Sequence, residues 1–408
     1  MPVYQTEPRR ALYLLREALV TSFVRAPLWT LYALPNINRP RDSWSLGRTL
    51  RVRLMQYMPY VVAKTGPLKR EANYLAIEQD KHVKGVWIAP VPNLILGEVK
   101  QWAADAGVES IRIPGYWFEK KGHHVPLGSP PKPGEKMLYV LHGGGFTRQS
   151  ASPSDPTSNI PRGILEHTSS DVTRALTLEY RLTKHRSVKP YHPFPAALLD
   201  AIAGYNYLVN EVGFPPEDII VEGDSAGGNL AIALVRYLLE NSAEGSPIPR
   251  SPGALVLCSP WVDMGPASND VRSSVQYNIR SDVISVANRG TTSLITNYCG
   301  ALGREAGVRN RYISPASFSS STEVSFRGFP RTLIFAGGAE VLVHSIRFLR
   351  LRMTSDIGSD MVTYVEKPDA VHDFMMFAWH EPERTECLRL IADWIESKAR
   401  YDVVKSRL

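Results

Sequence analysis

Cysteine is scarce in this sequence. Its 408 residues hold three, Cys258, Cys299 and Cys387, odd in number and far apart. That excludes a disulfide-stapled scaffold, offers no zinc-ligand spacing, and fits a reducing compartment. Long apolar runs are missing too. The richest stretch near the start, residues 11–34, is interrupted by Arg16, Glu17 and Arg25 and broken by Pro27. A spanning helix needs roughly 20 consecutive apolar residues, so no membrane span is expected. There is no compact apolar core followed by a small-residue cleavage site. A cleaved secretory leader is therefore not expected, and an intracellular protein, cytoplasmic or peripherally membrane-associated, is. Internal repeats and low-complexity tracts are absent, as are the nucleotide-binding patterns G-x-G-x-x-G and G-K-[ST].

Acidic residues are scarce in one place. The first 70 residues carry twelve Lys and Arg against Glu7, Glu17 and Asp42, a balance of +9 in a chain whose total is +7. The basic character thus belongs to the N-terminal segment, and the rest is slightly acidic. Interleaved Leu, Trp, Tyr and Phe favour a lipid surface over nucleic acid as its partner. The plainer reading is a helix packed on the protein's own surface; the sequence leaves both open.

From about residue 86, short apolar runs alternate with helical patterns. The strand-like runs are Lys136–Leu141, Leu176–Tyr180, Ile219–Glu222, Ala254–Cys258, Thr332–Ala336 and Val362–Glu366. Near-continuous apolar runs suit strands buried on both faces of a parallel sheet. The helical stretches between and after them, 195–211, 226–240, 340–354 and about 383–403, argue for a doubly wound α/β sheet. Two regions break the rhythm. Residues 1–85 precede the first strand, and residues 262–330 are far too long for a plain βα loop.

Gly223-Asp224-Ser225-Ala226-Gly227 stands between a strand and a helix. A chain running straight from one into the other turns sharply, which lifts the Ser225 hydroxyl above the sheet and demands small neighbours. His142-Gly143-Gly144-Gly145-Phe146 follows the strand Lys136–Leu141. Its glycines free the backbone to aim the amides of Gly144 and Gly145, with that of Ala226, at a developing oxyanion. A serine nucleophile needs a base. Of the histidines after it, His372 lies just past a strand end, whereas His344 sits on a helix flank and His380 near the last helix. The base needs a carboxylate, and Glu340, also past a strand end, gives the order Ser225, Glu340, His372. Asp369 and Asp373 are rivals, but a sequence neighbour rarely reaches back to the ring.

The pair HGGGF and GDSAGG resembles the hormone-sensitive-lipase-like esterase family. Tyr180-Arg181-Leu182, Pro193–Ala197 and Ser259–Asp263 agree with it over roughly residues 86–400. The resemblance implies an α/β-hydrolase fold with a mostly parallel sheet and a helical cap. The cap would combine the basic, apolar helical segment 1–85 with the insertion of about 262–330, on a catalytic domain of 86–408. The family's acid is usually Asp in D-x-L; here Glu340 stands in E-V-L, on a longer arm. The RAPLWTLYALP and RPRDSWSL stretches are similar to fungal steryl-ester deacetylases and natural-product esterases. The expected activity is hydrolysis of an apolar lipid, sterol or natural-product ester, without metal or organic cofactor. Acyl transfer by the same residues is the alternative. A ligand-binding member without turnover would have lost part of the triad.

Overall fold

The computed structural model describes residues 3–4, 6–68, 73–78, 83–169, 171–185, 188, 191–265, 273–284, 289–319 and 323–405. One eight-stranded sheet organises them. Its strands are β1 (Lys84–Ile88), β2 (Ile113–Glu119), β3 (Lys136–Leu141), β4 (Val172–Leu178), β5 (Ile219–Asp224), β6 (Ala254–Cys258), β7 (Arg331–Gly337) and β8 (Val362–Lys367). The order is β1-β2-β4-β3-β5-β6-β7-β8. β2 runs antiparallel to both its neighbours, and all other pairings are parallel.

Alternation along each central strand feeds two cores. Met137, Tyr139 and Leu141 pack beneath the helices Ala196–Asn206 and Ala226–Asn241. Leu138 and Val140 face the opposite layer, where the helices Asn159–His167 and Glu383–Lys405 lie. The helix Ala226–Asn241 is buried from Ala226 to Leu238, which explains why it is apolar nearly all round.

Two departures from the sequence reading have physical causes. β4 begins at Val172, ahead of the expected Leu176, because the buried Arg174 interrupts the apolar run. Glu135 compensates that charge, with Arg174 Nε 2.9 Å from its Oε1. The helix expected over 195–211 is α-helical to Asn206 and winds on as a π-helix over Tyr207–Val212.

The strand order reverses beside β3, so β3 and β5 are neighbours with Leu141 opposite Gly223. In open α/β sheets such a switch point opens a crevice at the carboxyl ends of the strands. The turns after β3, β5, β7 and β8 all emerge on that rim. Before the sheet come α1 (Arg9–Val20), a π-turn (Thr21–Arg25), α2 (Ala26–Ala33) and α3 (Leu46–Thr65). Within 262–330, the described residues include the helices Ser274–Tyr277, Arg289–Cys299 and Ala306–Arg309.

Candidate active site

Ser225 sits at the turn between β5 and its helix with φ 50° and ψ −115°, a conformation L-residues rarely adopt. The surroundings hold it there. Ser225 N donates to Cys258 O at 2.9 Å, and Trp261 N donates to Ser225 O at 2.9 Å. A Cβ at Gly227 would land on the Leu141 carbonyl, and one at Gly223 on the Gly227 carbonyl. These close approaches are why only glycine fits on either side of the turn.

The loop after β3 lies alongside. Gly143 N donates to Asp224 Oδ1 at 2.9 Å, tying this loop to the turn. Gly144 and Gly145 both have positive φ, 106° and 62°. Their amides and that of Ala226 donate no hydrogen bond among the described residues. His142 is buried and stacked on Tyr180 at 4.3 Å, and its Nδ1 lies 2.8 Å from Gly143 O. Burial pushes its imidazole down to about 4, so it stays neutral and braces the loop. Phe146 stacks on Tyr298 of the helix Arg289–Cys299 at 4.1 Å, so the insertion covers this loop.

β7 and β8 deliver the other two residues. His372 Nε2 lies 2.9 Å from Ser225 Oγ, and His372 Nδ1 lies 2.7 Å from Glu340 Oε2. The remaining oxygen of Glu340 accepts from Gly337 N at 2.7 Å and from the Ser259 hydroxyl at 3.2 Å. Burial raises the Glu340 carboxyl to about 7, against the pull of His372. Burial alone would lower His372, but the Asp373 and Glu340 carboxylates outweigh it and hold the imidazole well above its ordinary range.

The rivals stand elsewhere, with one correction. His344 meets Ser274 and Tyr277, and His380 meets Val371 and Glu383. Asp369 accepts from the Ser43 hydroxyl at 2.6 Å. Asp373, however, does reach the ring. Its backbone is left-handed, φ 50° and ψ 36°, which folds its Oδ2 to 3.1 Å from His372 Nε2. It approaches the nitrogen facing Ser225, not the one Glu340 holds. Glu222 and Asp224 lie buried nearby. Burial first, then the Asp373 charge, raises Glu222 to about 8 and Asp224 well above its usual range.

Asp282 was not anticipated. It is buried, accepts from His372 N at 3.0 Å through Oδ1, and accepts from Val341 N at 2.7 Å through Oδ2. One carboxylate thus fixes the loop of Glu340 against the loop of His372. No spacing in the sequence signals it, since it comes from the insertion. Among the described residues no three His, Cys, Asp or Glu side chains are grouped to hold a metal ion.

The family described as alpha/beta hydrolase fold matches residues 138–376, more than half of the chain. The chain belongs to this family. Esterase LipU of Mycobacterium tuberculosis is 30% identical over 262 residues, 64% of this chain and 77% of its own length. An acetyl-hydrolase of Streptomyces hygroscopicus is 29% identical over 265 residues, 64% of this chain and 75% of its own. Among solved structures, an esterase from the bacterial hormone-sensitive lipase family superposes with a TM-score of 0.58 at 23% identity, covering 87% of this chain and 99% of that one. A hormone-sensitive lipase from a metagenome library gives 0.54 at 21%, covering 91% and 96%. At those identities the structural likeness speaks to the fold alone. The relatives' names, esterase and acetyl-hydrolase, support the class of carboxylic-ester hydrolases and leave the substrate open.

Proposed function

We propose that this chain hydrolyses a carboxylic ester by acyl transfer through Ser225, with His372 as base and Glu340 as the acid that orients it. The observation that carries this reading is the continuous line from Ser225 Oγ through His372 to Glu340, at 2.9 Å and 2.7 Å. Ser225 Oγ attacks the ester carbonyl while His372 Nε2 takes its proton. Glu340 holds Nδ1–H, keeps the right tautomer and stabilises the imidazolium. The amides of Gly144, Gly145 and Ala226 receive the oxyanion, and the helix beginning at Ala226 adds its positive end. His372 then protonates the leaving alcohol. Water, deprotonated by His372, releases the acid and restores Ser225.

The acetyl-hydrolase among the relatives supports a short acyl group. The N-terminal segment and the insertion support an apolar alcohol, because together they form the cap of our reading. They join through Gln56, whose Nε2 donates to Asp282 O at 2.7 Å, and Arg280, which donates to Asn38 O at 3.1 Å. A panel of esters from acetyl to long acyl, each on a small and a bulky apolar alcohol, tests the assignment. The highest kcat/KM is expected for a short acyl group on a bulky apolar alcohol. A preference for long acyl chains on small alcohols would overturn the substrate class.

A further inference from the structure

α1 is turned the wrong way round for a helix that merely covers a protein. It buries Tyr13 and Glu17, one turn apart. The face it leaves outside carries Leu12, Leu15 and Leu19, and Phe23 of the π-turn continues that stripe at 74% exposure. Spacings of three and four residues put these side chains on one face. α2 extends the stripe with the exposed Leu28 and Leu31, and Ile37 just beyond is 86% exposed. A contiguous apolar face of this kind marks an interaction site.

Charge identifies the partner. Between residues 8 and 41 there are six arginines and a single acid, Glu17. Glu17 is buried and spoken for, with Arg16 at 2.7 Å, Arg25 at 2.9 Å and the Tyr57 hydroxyl at 2.7 Å. Glu17 is shared between Arg16 and Arg25 and Glu7 lies beside Arg10, so acids are outnumbered here, with Arg9 exposed and Arg16 largely exposed beside the leucines. A second copy would bring the same arginine excess against this face. An anionic lipid surface supplies both the apolar interior and the opposite charge.

We propose that the Leu12–Ile37 face docks the protein on an anionic lipid surface, in which the ester substrate is dissolved. Docking stands on this face alone; only the nature of the cargo rests on the ester-hydrolase reading. Among the described residues no helix is long and apolar enough to cross a membrane, so the contact is interfacial. The segment is also fastened to the site. Arg41 donates to Gly338 O at 2.8 Å and also to the Asn278 side chain, and Trp44 Nε1 donates to Asp369 O at 2.9 Å. Gly338 and Asp369 belong to the loops that carry Glu340 and His372. The chain leaving this face therefore runs directly onto the loops of the site.

The test is co-sedimentation with phosphatidylcholine vesicles, with and without phosphatidylserine, at low and high salt. Wild-type protein and the double variant Leu15→Ser/Phe23→Ser are compared, each also assayed on a short water-soluble ester. Wild type is expected to sediment only with phosphatidylserine and to be released by salt, which screens the arginines. Losing two large apolar side chains should weaken binding about a hundredfold while leaving the soluble-ester rate unchanged. Wild type staying in the supernatant throughout, or the variant binding equally well, overturns the proposal. So does a wild-type dimer that the variant converts to monomer without any vesicle binding. Lipid binding as expected, with no turnover of any ester, would retain the docking and remove the ester-hydrolase reading.

Discussion

Glu340→Gln is the perturbation that isolates the acid. In the native site one carboxylate oxygen faces His372 Nδ1 at 2.7 Å and the other accepts from Gly337 N at 2.7 Å and from the Ser259 hydroxyl at 3.2 Å, so His372 and Gly337 both present donors. An amide offers one acceptor and one donor. If its oxygen stays on Gly337, its NH2 meets Nδ1, and the imidazole must carry its proton on Nε2 instead. That tautomer cannot accept the Ser225 proton. If the oxygen faces His372, NH2 and the Gly337 N–H confront one another in a buried space, at a cost of about 1–3 kcal/mol for the unpaired donor. The first arrangement wins. A wrong tautomer held in intact geometry lowers kcat by about 10⁴ in serine-triad enzymes, and a loss of about 10³–10⁴ is expected here. KM should move little, because Glu340 does not touch substrate. Initial rates on a p-nitrophenyl ester, with thermal melting to confirm folding, give the measurement. Retention of more than about a tenth of kcat by a folded Glu340→Gln enzyme, a loss of under 1.4 kcal/mol in transition-state stabilisation, would refute Glu340 as the acid.

Two further changes probe its surroundings. Asp373→Asn keeps a side chain tolerant of the left-handed backbone but removes the anion beside His372 Nε2. The proposed mechanism needs neutral His372, and Asp373 raises its pKa, so the acid limb of kcat/KM should move to lower pH by about one pH unit; no movement, or movement upward, would contradict this. Asp282→Asn should lower kcat about tenfold or more and destabilise the fold by about 1–3 kcal/mol, since one oxygen gives way to a donor facing His372 N or Val341 N; kinetics and melting both unchanged would show that these loops do not depend on it.

The sheet's centre was legible because its strands are buried on both faces, so apolar runs such as Lys136–Leu141 and Ala254–Cys258 mark their own bounds. The elbow was legible because Gly223, Gly227 and Gly228 lie against neighbouring backbone or, at Gly228, Pro260, and nothing larger fits. The edge was harder. β2 contains Pro114 and Gly115, which break the strand pattern, and its antiparallel pairing with β1 leaves no mark on the sequence. Arg174 hid the start of β4 because the compensating Glu135 lies 39 positions away. In the site, strand ends pointed to Ser225, Glu340 and His372. Asp282 escaped because its role depends on where an insertion folds back. Asp373 was misjudged because its reach comes from a local left-handed turn, not from its distance along the chain.

The most direct test of the proposed mechanism is covalent. An alkyl fluorophosphonate reacts with an activated serine, the oxygen displacing fluoride at phosphorus while the base takes the hydroxyl proton. Mass spectrometry of the digested protein then locates the adduct. A single adduct on Ser225 that forms in step with loss of esterase activity is the expected result, with none in Ser225→Ala. An adduct on another residue, or full inactivation with Ser225 unmodified, would contradict it.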